Sequence, residues 1–349
     1  MLMVIFGAGA SYDSIDRGLA ELHPEHRPPL ASALFAQRAS ADEVIRSYPR
    51  CRAVIPRLRA AGLRGGGEVE RELQKLQAEQ QDGYLERASH LMATRYYLRD
   101  LLIANGNWWL QLSAGITNYT ALLDELARWR YTDKDPTALV TFNYDNLLER
   151  ACRDVLGMPF NSLIEYTSRE DFRVFKPHGS VDWDRSVGPN PNTVYVPDHI
   201  ITHAASLTAT GPIQVQRIPG DGSLGRHPCP AIAIPVELKS TFECPDEHLD
   251  ALKRMLPNVD RLLVIGWRAT EEHFLEVLRA GLANRRIPVM IVADTEQAAD
   301  STWLSLRSTR VNQLGMGRWQ APVTVGGGFS GFVTDLEPLQ SWLRLRAPG

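Results

Sequence analysis

The sequence predicts an α/β fold: a doubly wound parallel sheet with a large helical insertion and a small irregular subdomain. Three observations point to it. Short apolar, β-branched runs recur at residues 3–6, 138–142, 173–175, 261–267 and 288–293, with helical patterns between them. Runs of that kind are buried on both faces, and strands separated by helices pair in parallel. Residues 30–131 hold no strand pattern, whereas residues 185–256 are rich in Pro and Gly.

Length and composition bound the rest. The 349 residues suffice for one large domain with an insertion or for two domains. Apolar side chains make up 44% of the chain, enough to build a substantial core. The 38 basic and 41 acidic side chains leave a net charge of −3. Neutralising phosphates needs a basic excess, so direct nucleic-acid binding is not expected. No apolar run reaches about 18 residues, so no membrane span is expected. The apolar start ends in a glycine turn and has no basic segment before it, as expected of a core strand rather than a signal peptide. Cysteines at 51, 152, 229 and 244 are too few and too scattered for a disulfide framework, which predicts a reducing, cytoplasmic setting.

The first strand runs directly into Gly7-Ala8-Gly9-Ala10-Ser11. Glycines let backbone approach a ligand closely, and a following helix turns its N–H groups toward an anion such as a diphosphate. The full dinucleotide fingerprint needs a third glycine and an acidic residue about 20 positions on, at a second strand. Tyr12 stands in the third glycine's place, and the segment from His23 to Pro29 cannot be a central strand. The turn therefore reads either as an anion cradle or as a tight turn without ligand.

In the insertion, Leu73, Leu76, Tyr84, Ala88, Leu91 and Met92 fall on one helical face, and Leu98, Leu101, Leu102, Trp108 and Trp109 continue it. Gly65-Gly66-Gly67 and Gly106-Asn107 punctuate it. The basic run of Arg46, Arg50, Arg52, Arg57, Arg59 and Arg64 reads as a solvated helix face. The second strand ends in Thr141-Phe142-Asn143-Tyr144-Asp145-Asn146, polar residues at the edge where such sheets bind ligands, with Asx capping as the plainer explanation of one of them. The third ends in Lys176-Pro177-His178-Gly179-Ser180, which fixes an imidazole able to take a proton near neutral pH. The irregular zone offers strand-like pieces at 193–197, 213–218 and 231–235, and Pro245-Asp246-Glu247 reads as a helix start. Gly326-Gly327-Gly328 reads as a flexible connection.

Strand-GAGAS, strand-TFNYDN and strand-KPHGS, in this order, resemble the sirtuin family, in particular the bacterial sirtuin-like domains that act as NAD hydrolases in anti-phage defence. The resemblance extends over most of the chain and includes Arg27-Pro28-Pro29-Leu30 heading the first insertion helix, a fourth strand ending Val264-Ile265-Gly266-Trp267-Arg268 and a fifth ending Ile291-Val292-Ala293-Asp294. It implies a Rossmann-like, NAD-binding core of residues 1–29, 132–184 and 257–349, with the helical insertion at 30–131 and the irregular subdomain at 185–256. It further implies that Gly7, Ala8, Gly9 and Ser11 bind the diphosphate of NAD, taken as substrate. Asn143 would hold the nicotinamide ribose or the attacking water, Asp145 the carboxamide, and His178 would be the general base. Gly266 and Trp267 would support the phosphates or a ribose, and Asp294 or Thr295 the adenosine. Such an enzyme depletes NAD in abortive infection, and the resemblance implies control through an oligomer or a partner such as a HerA-type ATPase, a short Argonaute or a phage protein.

The chain also departs from the family pattern. Phe142 and Tyr144 stand where deacylating sirtuins have Gln and Ile, Trp267-Arg268 where they have Thr-Ser, and the paired Cys-x-x-Cys zinc ribbon is missing. His227, Cys229, Cys244 and His248 have no regular zinc spacing, so no metal is expected. His199 and His203 share the i, i+4 spacing of a metal pair without a metalloprotease glutamate and read as surface loop. Protein deacylation or ADP-ribosyl transfer, and non-catalytic sensing of NAD or ADP-ribose, remain open alternatives.

Overall fold

A computed structural model describes residues 1–187, 197–207, 211–215, 229–236, 242–282, 287–308 and 322–344. Its strands, in chain order, are β1 (Leu2–Phe6), β2 (Thr137–Thr141), β3 (Phe172–Phe175), β4 (Gly179–Arg185), β5 (Gln214–Val215), β6 (Cys229–Ile232), β7 (Arg261–Ile265), β8 (Val289–Val292) and β9 (Val323–Val325). Six of them form a parallel sheet in the order β3-β2-β1-β7-β8-β9. Counted within that sheet the order is 3-2-1-4-5-6, the Rossmann arrangement, in which the winding reverses between β1 and β7.

The uniform apolar character of β1 follows from helices on both sides of it. Leu2, Val4 and Phe6 pack into one core with Leu122, Leu126, Leu147 and Phe329, from helices Asn118–Asp133, Leu147–Leu156 and Gly328–Thr334. Met3 and Ile5 point the other way, to Leu252, Phe274 and Leu275 of helices Asp246–Met255 and Glu272–Gly281. Val4 pairs with Leu139 on one side and Leu263 on the other, so the strand is fully enclosed.

The helical stretch divides between two cores. Helices Ala39–Ser47, Ile55–Gly62 and Gly66–Gln81 build a separate core with the first half of the long helix Glu86–Leu112. Trp109, at the far end of that long helix, and the helix Asn118–Asp133 belong instead to the sheet, so the expected insertion, residues 30–131, ends inside a layer that covers β1. The expected single face from Leu73 to Met92 is broken by a turn at Gly83, which leaves Tyr84 53% exposed. Gly106-Asn107 does not break the long helix, and no helix begins at Arg27-Pro28-Pro29-Leu30, which leads into a short 3-10 turn. The basic run is a solvated face whose charges meet acids: Arg50 pairs with Glu86, Arg57 with Glu72 and Glu79, and Arg59 with Asp42.

In the irregular zone, β4 pairs with β5 and β6 in a small antiparallel sheet. The expected strand at 193–197 lies almost wholly outside the described residues, as do residues 216–218 of the piece at 213–218, whose described part holds the short strand β5; the piece at 231–235 overlaps the end of β6, which starts two residues earlier. His199 belongs to a helix, Pro197–Thr202, rather than to a loop, and its ring stacks on that of His203. Gly326-Gly327-Gly328 is an ordered turn after β9, with the Gly327 and Gly328 N–H groups bonded to Asp294 O and Ala293 O. Among the described residues no helix is long and apolar enough to cross a membrane.

Candidate functional site

The glycine turn after β1 locks against the turn after β7. The Gly7 N–H donates to Ile265 O at 3.0 Å and the Gly9 N–H to Gly266 O at 3.0 Å. A Cβ on Gly7 would lie 2.5 Å from the Trp267 Cα, and one on Gly9 would lie 2.9 Å from the Gly266 Cα. Gly266 itself has φ +58° and faces Ala10 N and Gly9 as closely. The glycines therefore bring two backbones together at the point where the winding reverses, and the Gly9 N–H is used within the protein rather than left for an anion.

β2 delivers Asn143, which is 7% exposed. Its Nδ2 lies 2.9 Å from Gly7 O, 2.9 Å from Ser11 Oγ and 3.2 Å from Tyr119 OH. Two residues on, an Asp145 carboxylate oxygen accepts the Leu147 N–H at 3.1 Å and so caps the helix that follows. Burial pushes the Asp145 carboxyl up, opposed by the Lys176 ammonium and by hydrogen bonds from Ser11 and from the Leu147 N–H.

Behind this loop sits an ion pair that sequence reasoning missed. Lys176 Nζ lies 2.7 Å from Glu149 Oε1, with both side chains no more than 1% exposed, and also donates to Asp145 O. Ser180 Oγ donates to the same Glu149 oxygen at 3.2 Å, and Tyr166 OH at 3.4 Å, while Glu149 Oε2 is buried without a partner among the described residues. Burial pushes the Glu149 carboxyl up and the nearby ammonium opposes the shift. Lys176 thus ties the end of β3 to the loop after β2.

His178 follows two residues later, 3% exposed. Its ring meets Phe142 edge-on at 4.9 Å and lies 6.1 Å from both Tyr144 and His273. Phe142 in turn stacks on Trp267 at 5.2 Å, and Trp267 Nε1 donates to Glu271 at 2.6 Å. Gly179 makes the turn possible. Its φ is +85° and a Cβ there would lie 2.0 Å from Ala231 O, so only glycine lets the chain swing from β3 into β4.

These groups surround one cavity of about 620 Å³ at the carboxyl edge of the sheet. Of the residues given a role from the resemblance, all but Thr295 line it: Asn143 and His178, then Gly7, Ala8, Gly9, Ser11, Asp145, Gly266, Trp267 and Asp294. Thr295 instead accepts the Ala298 N–H at 3.2 Å and starts a helix. The opposite wall, unforeseen in its detail, comes from the helical region through Pro28, Pro29, Leu30, Gly66, Glu70 and Leu102. Asp294, also on the lining, is paired with Arg17 at 3.0 Å. The arrangement offers a largely apolar trough whose lining includes an amide, an imidazole and carboxyl groups.

The irregular zone contributes no metal centre among the described residues. Cys229 is buried against Met92, and His248 Nε2 lies 2.9 Å from Leu163 O. His227 lies outside the described residues.

No family model matches this chain, and no curated protein matches it. Among solved structures, the chain is similar to a Sir2 homologue in complex with NAD, at 15% identity and TM-score 0.34, over 88% of this chain and 89% of that one. A mutant Sir2 homologue in complex with ADP-ribose shows 14% identity and TM-score 0.36 over 90% of this chain and 94% of that one. A further mutant in complex with 2'-O-acetyl ADP-ribose shows 15% identity and TM-score 0.39 over 99% of this chain and 94% of that one. Similarity this distant assigns no role to any residue.

Proposed function

We propose that this chain is a sirtuin-like NAD hydrolase, which cleaves the bond between nicotinamide and ribose to give ADP-ribose and nicotinamide. The observation that carries the reading is the convergence of Asn143 and His178, from the ends of the adjacent strands β2 and β3, on one cavity at the reversal of the Rossmann winding. A trough of about 620 Å³ is within the range of small-molecule sites.

The scissile bond is glycosidic with a cationic leaving group, so it breaks through an oxocarbenium-like state and releases neutral nicotinamide without an acid. The protein has to orient the ribose, keep unwanted nucleophiles out and admit one water. Asn143 orients that water or a ribose hydroxyl. His178 takes the proton, a contribution of roughly 10²–10⁴-fold. Phe142, Trp267 and the wall from the helical region limit the water that reaches the sugar.

Depletion of NAD would suit an effector of bacterial anti-phage defence, with assembly or a partner protein as its trigger. Chromatography of purified protein incubated with NAD tests the chemistry. Nicotinamide and ADP-ribose are expected from the parent and neither from His178→Ala or Asn143→Ala, both still folded by circular dichroism. Undiminished turnover in either variant removes that residue's role. Appearance of O-acyl-ADP-ribose with an acylated peptide would indicate a deacylase instead, and saturable binding without nicotinamide release a sensor.

A further inference from the structure

We propose that Tyr119 is a positioning residue that clamps the Asn143 side chain with its amide nitrogen inward and its carbonyl oxygen toward the cavity. The inference rests on the reading of the site given above and specifies what Asn143 can do there. Gly7 O is a carbonyl and only accepts, so the side of Asn143 facing it at 2.9 Å must be the NH₂ group. That settles which way the amide points. One hydrogen serves Gly7 O, and the second is shared between Ser11 Oγ at 2.9 Å and Tyr119 OH at 3.2 Å. The Tyr119 and Ser11 hydroxyls are themselves bonded at 3.0 Å. A hydroxyl carries one hydrogen and two lone pairs, so each can accept from the amide while one of them donates to the other.

Asn143 Oδ1 has no partner among the described residues, yet it is not a sealed, unsatisfied atom, and the residue lines the cavity. What remains for a ligand is an acceptor. The group bound at Asn143 must therefore be a hydrogen donor, such as a ribose hydroxyl or a water; a ligand carbonyl or phosphate oxygen has nothing to bind there.

Tyr119 suits the task because it is closely packed. It is 1% exposed, with its ring held 5.2 Å from Phe6 and 5.3 Å from Phe329. Its neighbour Asn118 pins the start of the same helix, donating its N–H to Ser14 O at 2.6 Å and Nδ2–H to Asp13 O at 2.7 Å. A clamp on a rigid helix holds the amide better than one on a loop.

Tyr119→Phe tests the proposal, since it keeps the ring and deletes only the hydroxyl. Nicotinamide release is followed at varied NAD concentrations. The expected result is a kcat lowered roughly tenfold with KM within about twofold, because misplacing a group that orients the reacting atoms costs rate more than binding. A second measurement needs no activity: selective ¹⁵N-asparagine labelling reports the Asn143 side-chain amide, identified by its loss in Asn143→Ala. Its hydrogen exchange should be slow in the parent and at least roughly tenfold faster in Tyr119→Phe. Unchanged kcat and unchanged exchange, with only a lower melting temperature, would overturn the proposal and leave Tyr119 a packing residue. If the parent releases no nicotinamide, the hydrolase reading fails, and the exchange measurement still decides for or against the clamp.

Discussion

Replacing Lys176 by Met removes one half of the buried ion pair and leaves the volume nearly unchanged. Lys176 and Glu149 are no more than 1% exposed and 2.7 Å apart, so bulk solvent does not reach the pair. Breaking such a pair leaves an uncompensated charge and costs roughly 3–5 kcal/mol, a large share of a typical stability of about 5–15 kcal/mol. Two neighbours limit the damage, because Ser180 and Tyr166 still donate to Glu149. The remaining relief is protonation. Burial already pushes the Glu149 carboxyl up and Lys176 opposes it, so removing Lys176 raises it further. The folded variant then holds a proton that the unfolded chain releases above about pH 4.3, and its stability falls as pH rises, by at most ~1.4 kcal/mol per unit up to the folded pKa. Urea unfolding of the parent, Lys176→Met and the double variant Lys176→Met/Glu149→Gln between pH 5 and 7 measures this. The single variant should be weakest at pH 7 and recover toward pH 5, with the double variant flatter across the range. A single variant within about 1 kcal/mol of the parent at pH 7, or one with no added pH slope, would refute the reasoning.

Gly179→Ala places a Cβ 2.0 Å from Ala231 O at φ +85° and should cost more than about 3 kcal/mol, visible as a fall in melting temperature or as loss of soluble protein; a melting point within about 2 °C of the parent would contradict the geometry. The cysteines should be unreactive in the folded chain: burial pushes the Cys51 and Cys244 thiols up to about 12, and those of Cys152 and Cys229 are raised as well. A thiol reagent at pH 8 should label all four promptly only in denaturant, and rapid native labelling of any one would show that its surroundings are more open than described.

The sheet was legible wherever a strand is covered on both faces. Leu2 to Phe6 are all buried, which is why their run lacks alternation and stands out. The residues of the candidate site were legible because they follow such strands directly, at the edge where polar groups have no helix or sheet to satisfy them. β4 was hidden because Asp182 and Asp184 interrupt its apolar side chains, although Val181 and Trp183 are buried. β9 was hidden by its length and exposure, three residues held by pairing with β8. Lys176 and Glu149 lie 27 positions apart, and nothing local marks two opposite charges as neighbours. One signal was available: a lysine directly after the buried run Phe172–Phe175 has no easy path to solvent. Tyr119 gave none, since an aromatic on the apolar side of a helix reads as core, and only its hydroxyl's partners distinguish it.

The cavity belongs to two cores at once, and that has a consequence for the proposed chemistry. Its floor is made by loops of the sheet, whereas Pro28 to Leu34 form a strap along the other side. The strap begins on the sheet: the Arg27 Nε–H donates to Tyr12 O at 2.6 Å, and the guanidinium lies 3.7 Å from the Tyr12 ring centre. It ends on the helices, where Tyr97 OH donates to Leu34 O at 2.8 Å and Arg59 to Phe35 O at 2.9 Å. Those helices pack into a core of their own, joined to the sheet by the long helix Glu86–Leu112, whose Trp109 lies in the core on the sheet. The strap and the long helix are thus two links between the helical core and the sheet, and in the proposed reaction the strap would be the wall that keeps water from the sugar. For an oxocarbenium-like reaction that wall matters as much as the base, because it decides which nucleophile arrives.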